Sequence, residues 1–203
     1  MNELYEKGVF KRFGISNFNA ADVEEVVRIC KEMQYVLPTV YQGNYNAFAR
    51  HVENTILPTL RKHGIKFYAY STSAGGFLAK TSEQLRQGGT GRWAMDNAYG
   101  KVYNGLYGKP SLLRGLDDWN NIAQQEGITG IEMAYRWIMQ HSRLEPDCGD
   151  AVVVGGRSVE QLRENIAWMK KGPLSSSAVE QIECIWASIA SDAPLDNYNS
   201  ISM

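Results

Sequence analysis

The fold is decided by one stretch, Phe13-Gly14-Ile15-Ser16-Asn17-Phe18. Its apolar part breaks at Ser16 and Asn17, and apolar side chains then recur at helical spacing up to Cys30, with Asn19 placed to cap that helix. A strand that ends in polar residues and feeds a helix is typical of parallel α/β architectures. In these architectures the carboxyl ends of the strands hold the ligand site. We therefore expect Ser16 and Asn17 at a binding edge.

The same strand and helix unit recurs along the chain. The sequence predicts strands over residues 9–15, 37–42, 65–70 and 151–154. It predicts helices over residues 19–30, 52–63, 113–126, 131–141, 159–171 and 177–190. Strands that alternate with helices pair in parallel through right-handed crossovers. The predicted fold class is therefore α/β, with about four β/α units and C-terminal helices.

Residues 81–110 interrupt this alternation. They are rich in glycine and polar side chains, and they are too long for an ordinary connection, which predicts a functional or mobile long loop. Within it, residues 93–107 combine aromatic side chains with glycine. That pattern fits a substrate-facing lid, and it also fits a segment folded over an apolar edge.

Composition narrows the class of protein. The 203 residues are 44% hydrophobic with a net charge of -1, which suits one domain over residues 1–203 and gives no electrostatic reason to expect nucleic acid or an anionic membrane. The apolar runs are strand-sized, and the N-terminus lacks a signal-peptide core. Cys30, Cys148 and Cys184 are few and widely separated, which favours reduced thiols, a cytoplasmic location and no zinc site.

Other polar residues carry weaker signals. Three histidines, His51, His63 and His141, fall on predicted helices or their ends without metal-ligand spacing, so surface or packing roles are favoured and no metal site is predicted. Trp137 is predicted to be core. The tyrosines that could serve as a general acid are Tyr41, Tyr45, Tyr99, Tyr103 and Tyr107. The sequence places no lysine beside any of them.

Four stretches together resemble a known family. They are Lys-Arg-Phe-Gly-Ile-Ser-Asn-Phe at residues 11–18, Leu-Pro-Thr-Val-Tyr-Gln-Gly-Asn-Tyr-Asn at 37–46, Phe-Tyr-Ala-Tyr-Ser at 67–71 running to Ala-Gly-Gly-Phe-Leu at 74–78, and Gly-Gly-Arg-Ser-Val-Glu-Gln-Leu-Arg-Glu-Asn at 155–165. These stretches occur in the same order in the aldo-keto reductases, which the chain therefore resembles, most closely their aflatoxin-aldehyde-reductase and aryl-alcohol-dehydrogenase-like branches. The resemblance covers almost the whole chain.

The resemblance implies a (β/α)8 TIM-barrel lineage, in which this chain supplies strands five to eight, the carboxyl-terminal half. It also implies an NADP(H) cofactor held at the carboxyl ends of the strands. By position, Ser16, Asn17 and Gln42 would grip the nicotinamide carboxamide. Tyr70 would stack on the nicotinamide ring, and Ser71 would meet the pyrophosphate.

The last matching stretch would hold the adenosine end of the cofactor. The resemblance assigns the stretch that begins at Gly155 to this end, with Arg157 and Ser158 near the 2′-phosphate and Gln161, Glu164 and Asn165 on the ribose and adenine. The residue types suit these roles, because a guanidinium and a helix N-terminus both stabilise a phosphate.

The chain also departs from the family's pattern. Tyr70 is followed by Ser71-Thr72-Ser73, where the family has a polar residue, proline and leucine, and the rigid proline is therefore lost. The family's catalytic Asp, Tyr, Lys and His, in which the Lys lowers the pKa of the Tyr, cannot be located in this sequence. We therefore predict no catalytic residue in this chain, and no activity as a reductase on its own.

Simpler interpretations exist for the same residues. Ser16 and Asn17 could cap the following helix, Gln42 could serve a turn, and Tyr70 could be core. Ser158 and Gln161 have the spacing of a capping box. The four matching stretches occur together and in the family's order. This joint match favours the cofactor interpretation over the simpler interpretation of each residue taken separately.

Three functions remain open. The first is an aldo-keto reductase-like NADP(H)-dependent oxidoreductase that reduces an aldehyde or ketone to an alcohol and needs the catalytic residues from elsewhere. The second is a non-catalytic half-barrel that binds a nucleotide or a partner, with self-association through unpaired strand edges. The third is a repurposed, cofactor-independent cyclase, dehydratase or isomerase of secondary metabolism. The expected ligand is a small carbonyl compound, without nucleic acid or membrane.

Overall fold

One parallel sheet organises the molecule. The computed structural model describes residues 1–197 and has four strands, β1 (Phe13–Ser16), β2 (Pro38–Asn44), β3 (Lys66–Tyr70) and β4 (Ala151–Val152). They lie in chain order, and each neighbouring pair is parallel. The predicted α/β class is confirmed, and a four-strand parallel sheet in this order fits a partial barrel.

Two strands are shorter than predicted. β1 begins at Phe13 because residues 7–12 form turns and bends that leave Val9 67% exposed, away from the sheet. β4 ends at Val152, although the Val153 N–H still donates to the Ala69 carbonyl at 2.7 Å. Val154, Gly155 and Gly156 follow and are no longer part of the sheet.

Ten α-helices are described, and three short 3-10 turns lie between them at Ala74–Ala79, Gly91–Trp93 and Pro146–Cys148. The helices are α1 (Asn2–Glu6), α2 (Ala20–Glu32), α3 (Val52–Thr55), α4 (Leu57–His63), α5 (Ser82–Arg86), α6 (Ala98–Tyr107), α7 (Pro110–Gln125), α8 (Gly130–Gln140), α9 (Val159–Met169) and α10 (Ser176–Ile189).

Local chemistry explains where these helices begin and break. The Asn19 side chain accepts the Asp22 N–H at 2.9 Å, and the Asp22 carboxylate accepts the Asn19 N–H at 3.1 Å, so Asn19 caps α2 as predicted. The helix predicted over residues 52–63 divides at Ile56 into α3 and α4. Pro58 lies in the first turn of α4 and cannot donate a backbone hydrogen bond to the preceding turn.

Residues 81–110 differ from the predicted long loop. They contain α5, a 3-10 turn and all of α6, and two of their aromatic side chains are buried: Trp93 is 1% exposed and Tyr107 is fully buried. Asn97 caps α6 by accepting the Gly100 N–H at 2.8 Å. The segment is therefore a folded part of the domain that covers an apolar edge, and its glycines mark close packing and turns.

The two faces of the sheet differ. Ile15, Tyr41 and Phe67 are buried on the face that packs against the helices. The alternate residues Gln42 and Ala151 are exposed on the opposite face. Parallel sheets are normally covered on both faces. Within residues 1–197 the second face stays largely open.

The core lies between the covered face and the helices. Its largest members are Trp93, Trp119 and Trp137, all nearly or fully buried, which confirms the core prediction for Trp137. The three cysteines are free thiols. Nothing in the described chain forms a three-residue group of His, Cys, Asp or Glu suited to a metal, and no described helix could span a membrane.

Candidate functional site

The strand register brings three of the predicted residues to one edge. Ser16 pairs with Gln42 across β1 and β2, and Asn44, two residues beyond Gln42, pairs with Tyr70 across β2 and β3. Because side chains alternate along a strand, Gln42, Asn44 and Tyr70 belong to the same face. Ser16, Gln42 and Tyr70 therefore lie together at the carboxyl edge of the sheet's open face.

The residues that directly follow β1 and β3 have unusual backbone angles. Asn17 has φ 62° and Ser71 has φ 59°, both in the left-handed region that non-glycine residues seldom adopt. Asparagine tolerates this region, whereas serine is less suited to it. The Ser71 carbonyl is held by the Asn46 amide, which donates to it at 3.1 Å. Both turns thus present their residues immediately beyond a strand end.

Tyr70 is half-buried beneath the last described residues of the chain. The Asn197 amide donates to the Ser71 hydroxyl at 3.2 Å, and the Asn197 backbone N–H hydrogen-bonds to the Tyr70 phenol. Burial raises the pKa of Tyr70 to about 12, and the negative charge of Asp196 contributes in the same direction. Tyr70 therefore stays protonated at neutral pH and can offer its ring face and a neutral hydroxyl.

Polar atoms without partners concentrate at this edge. Within residues 1–197, four buried side-chain atoms have no hydrogen-bond partner: Asn44 Nδ2, Thr72 Oγ1, Asn197 Oδ1 and Trp137 Nε1. The first three belong to the ends of β2 and β3 or to the segment lying over them. Buried polar groups in proteins are nearly always hydrogen-bonded, so such a concentration calls for a ligand or water. The edge is thus chemically suited to a polar ligand such as an amide.

The segment over residues 155–165 is largely held by its own hydrogen bonds. Ser158 caps α9 by accepting the Gln161 N–H at 3.2 Å, as the simpler interpretation predicted. The Gln161 side chain accepts the Arg157 N–H at 2.9 Å, and the buried Asn165 amide donates to the Gly155 carbonyl at 3.0 Å.

Arg157 and Glu164 are exposed, as are all residues of this segment except the buried Asn165. The hydrogen bonds of Ser158, Gln161 and Asn165 therefore stabilise the turn before α9. The Arg157 guanidinium stays at the surface beside the N-terminus of that helix.

A buried amide cluster near Ser71 was missed by the sequence reasoning. Asn46 is fully buried, and its amide donates to the Ser71 carbonyl, to Asn44 Oδ1 at 3.3 Å and to the Tyr107 hydroxyl at 3.5 Å. Its own side-chain oxygen accepts the Phe48 N–H at 2.9 Å. The available signal was the polar run at residues 42–46 beside an apolar strand. Nothing in the sequence linked Tyr107 to it.

Three of the five tyrosines considered as substitute acids do not have the required chemistry. Burial raises the pKa of Tyr41 and of Tyr107 to about 12 each, and it also raises that of Tyr45. The Tyr41 hydroxyl donates to the Phe18 carbonyl at 2.8 Å, and the Tyr45 hydroxyl donates to Glu53 at 2.7 Å. A catalytic acid needs its pKa lowered toward neutrality, so these three side chains are structural.

Fold and edge together define a barrel-derived protein with a polar edge at its strand ends. The sequence profile of the aldo/keto reductase family matches residues 1–187. The chain therefore belongs to the aldo/keto reductase family of oxidoreductases, as the sequence motifs indicated.

Named relatives agree with this assignment. The chain is 41% identical to oxidoreductase sirO of Leptosphaeria maculans over 96% of its own length and 59% of that protein's. It is 35% identical to aflatoxin B1 aldehyde reductase member 2 of Mus musculus, over 95% of this chain and 54% of the relative. It is 30% identical to aldo-keto reductase pigE of Monascus ruber, over 90% of this chain and 55% of the relative. The chain thus spans a little over half the length of these relatives.

Proposed function

We propose that this chain provides the NADP(H)-binding portion of a reductase that converts an aldehyde or ketone to an alcohol. The observation that carries the proposal is the carboxyl edge of the open face, where the register aligns Ser16, Gln42 and Tyr70. When bound, the nicotinamide supplies the hydride, and the protein supplies binding and orientation.

The side chains at this edge fit a nicotinamide. The Gln42 amide and the Ser16 hydroxyl can donate and accept hydrogen bonds, which matches the donor and acceptor of a carboxamide. The unpaired Asn44 and Asn197 atoms show that the edge has hydrogen-bonding capacity to spare. The neutral Tyr70 ring, half-buried at the end of β3, suits stacking on a flat heterocycle.

The adenosine end is assigned to the start of α9. Arg157 lies just before the helix N-terminus, where backbone N–H groups and a guanidinium can together stabilise a phosphate. Selection of NADP(H) over NAD(H) would rest on this charge, because the two cofactors differ by the 2′-phosphate.

Turnover requires groups beyond those described. A reductase needs an acid to protonate the carbonyl oxygen, and the buried tyrosines have raised pKa values. The open sheet face is where such groups would join, from the same polypeptide or from a second one that carries the family's catalytic residues. We expect negligible aldehyde reduction by the purified 203 residues, and a rate near that of intact reductases would contradict this.

Paired titrations with NADPH and NADH test the cofactor assignment. We expect R157A to weaken NADPH binding about tenfold, with NADH binding unchanged, because it removes one charged hydrogen-bonding partner of the 2′-phosphate. R163A removes an equally exposed arginine from the same helix and serves as the matched control. Equal losses for both cofactors, or equal losses in both variants, would overturn the assignment of Arg157.

A further inference from the structure

Residues 192–197, which we call the C-terminal strap, follow the last helix and reach the carboxyl edge of the sheet. Helix α10 ends at Ile189, and Asn197 at the far end of the strap contacts Ser71, the residue after β3. These two residues lie 126 positions apart in the sequence. The four stretches that carry the family resemblance do not include Asn197.

The strap is fixed where it begins. The Asp192 carbonyl accepts a hydrogen bond from the Lys109 ammonium at 2.7 Å, and the Asp192 carboxylate accepts one from the Ser111 hydroxyl. Ala193 and Pro194, which come next, are both buried. Because a short peptide has a short reach, these anchors limit how far Asn197 can move from the edge.

Asn197 contacts the hydroxyls of two residues that are assigned to the cofactor. Its side-chain amide donates to Ser71 Oγ at 3.2 Å, and its backbone N–H hydrogen-bonds to the Tyr70 phenol. Both hydroxyl oxygens act as acceptors in these bonds. A hydroxyl can accept hydrogen bonds and still donate its one proton. Tyr70 and Ser71 therefore keep their own protons for other partners.

The Ser71 hydroxyl is prepared to donate to a ligand. Within residues 1–197 it accepts the bond from Asn197 and donates to no acceptor, and Ser71 is only partly buried. The Asn46 amide holds the Ser71 carbonyl separately, at 3.1 Å. A donor whose backbone and side chain are both held loses little freedom when a ligand binds, which favours affinity.

A second observation points to a ligand at the same turn. The Thr72 hydroxyl, directly after Ser71, is buried and has no hydrogen-bond partner within the described residues. Proline, which the family has at this position, offers neither a hydroxyl nor a backbone N–H. The turn thus has two hydroxyl donors, which suits an anionic oxygen.

We propose that Asn197 is a positioning residue of the cofactor site, which holds the Ser71 hydroxyl ready to donate to a pyrophosphate oxygen of NADP(H). Its bond to Tyr70 uses the phenol oxygen, and so does not use the ring face needed for stacking. This role rests on the proposed function, because it requires the cofactor at this edge. It makes the C-terminal strap part of the binding site.

Isothermal titration with two ligands tests this role. NADPH contains the pyrophosphate, whereas adenosine 2′-monophosphate has the adenosine end without it. We expect N197A to weaken NADPH binding roughly fivefold, because the bond that orients Ser71 is lost, and to leave monophosphate binding unchanged. N121A removes an exposed asparagine of α7 and should change neither affinity.

Two results with N197A would overturn the proposal. Equal losses for NADPH and the monophosphate would indicate a general structural effect of Asn197. Tighter NADPH binding would mean that the strap obstructs the site.

A second pair of variants tests whether Asn197 acts through Ser71. S71G removes the hydroxyl, and glycine suits the backbone at this position, where φ is 59°. In the S71G background, N197A should weaken NADPH binding by less than about twofold, because the group that it orients is already absent. The full loss in both backgrounds would contradict the proposal.

The proposal and the proposed function fail in different ways. If the purified chain binds NADPH and N197A binds it equally well, the role of Asn197 falls and the cofactor assignment stands. If the purified chain does not bind NADPH, the proposed function falls and the role of Asn197 falls with it.

Discussion

Ser71 shows how much of this site depends on single residues. Its backbone lies in the left-handed region, and two distant parts of the chain contact it. The Asn46 amide holds its carbonyl, the Asn197 amide donates to its hydroxyl, and Tyr70 precedes it at the end of β3. Strained conformations persist where surroundings fix them, and they cluster at binding sites. Ser71 is thus fixed in place before any ligand arrives.

His141 gives a residue-scale prediction about stability. Its Nε2 accepts the Leu174 N–H at 2.9 Å, so the folded protein needs the neutral ring. Burial first, and the Arg136 charge second, lower the pKa of His141 below its ordinary value of 6.5. The unfolded chain therefore takes up this proton before the folded protein does. The stability linked to His141 is present above about pH 6.5 and is lost as the pH falls below it.

The comparison variant is H141Q, whose amide oxygen can accept the same N–H but does not titrate. Urea unfolding from about pH 7.5 to about pH 5.5 should show the wild-type protein losing more stability than H141Q over that interval. His51 and His63 are present in both proteins and cancel in the comparison. Parallel stability curves would show that His141 does not carry this pH dependence.

At the scale of elements, helix α6 shows that close backbone packing explains part of a glycine-rich segment. A Cβ on Gly100 would collide with the Ala94 carbonyl oxygen, and a Cβ on Gly75 would collide with the Tyr103 ring. A Cβ on Gly105, in the same helix, would meet nothing within 4 Å. Close packing therefore requires glycine at position 100, whereas position 105 has open space for a larger side chain.

Two alanine substitutions in α6 test this packing. G100A should destabilise the protein by about 2 kcal/mol or more, because the backbone around Ala94 must move. G105A should be neutral or stabilise by up to about 1 kcal/mol, because alanine favours an exposed helix position. Chemical denaturation of both variants measures the difference. Similar effects of the two substitutions would mean that α6 does not pack as described.

The same elements show what the sequence could predict. Hydrophobic periodicity located the four strands and the helix capped by Asn19, because local patterns decide those features. It did not predict α6, because asparagine caps and buried aromatic residues in a glycine-rich segment have no simple period. The Asn46 cluster was also missed, since its partners Ser71 and Tyr107 lie 25 and 61 residues away along the chain. Such long-range contacts leave no local pattern.

At the scale of the whole molecule, the decisive feature is the uncovered face of the sheet. Apolar side chains also remain exposed along α9, where Val159 is 59%, Leu162 37% and Ile166 41% exposed. In a closed barrel the open face would turn inward and the sheet would have no free edges. The chain covers 54 to 59% of three relatives from this family, which agrees with a partial barrel. The chain contains the carboxyl edge of the strands, to which its resemblance to this family assigns the cofactor.

Hydrogen exchange of the purified chain with and without NADPH tests this account most directly. Binding should slow amide exchange jointly at residues 16–18, 42–46, 70–72 and 155–165, because these segments would contact one extended cofactor. NADPH at saturating concentration should leave α7 and α10 unchanged, since both lie behind the covered face. Absence of protection, or protection confined to one segment, would contradict the claim that this chain holds NADP(H) at its strand ends.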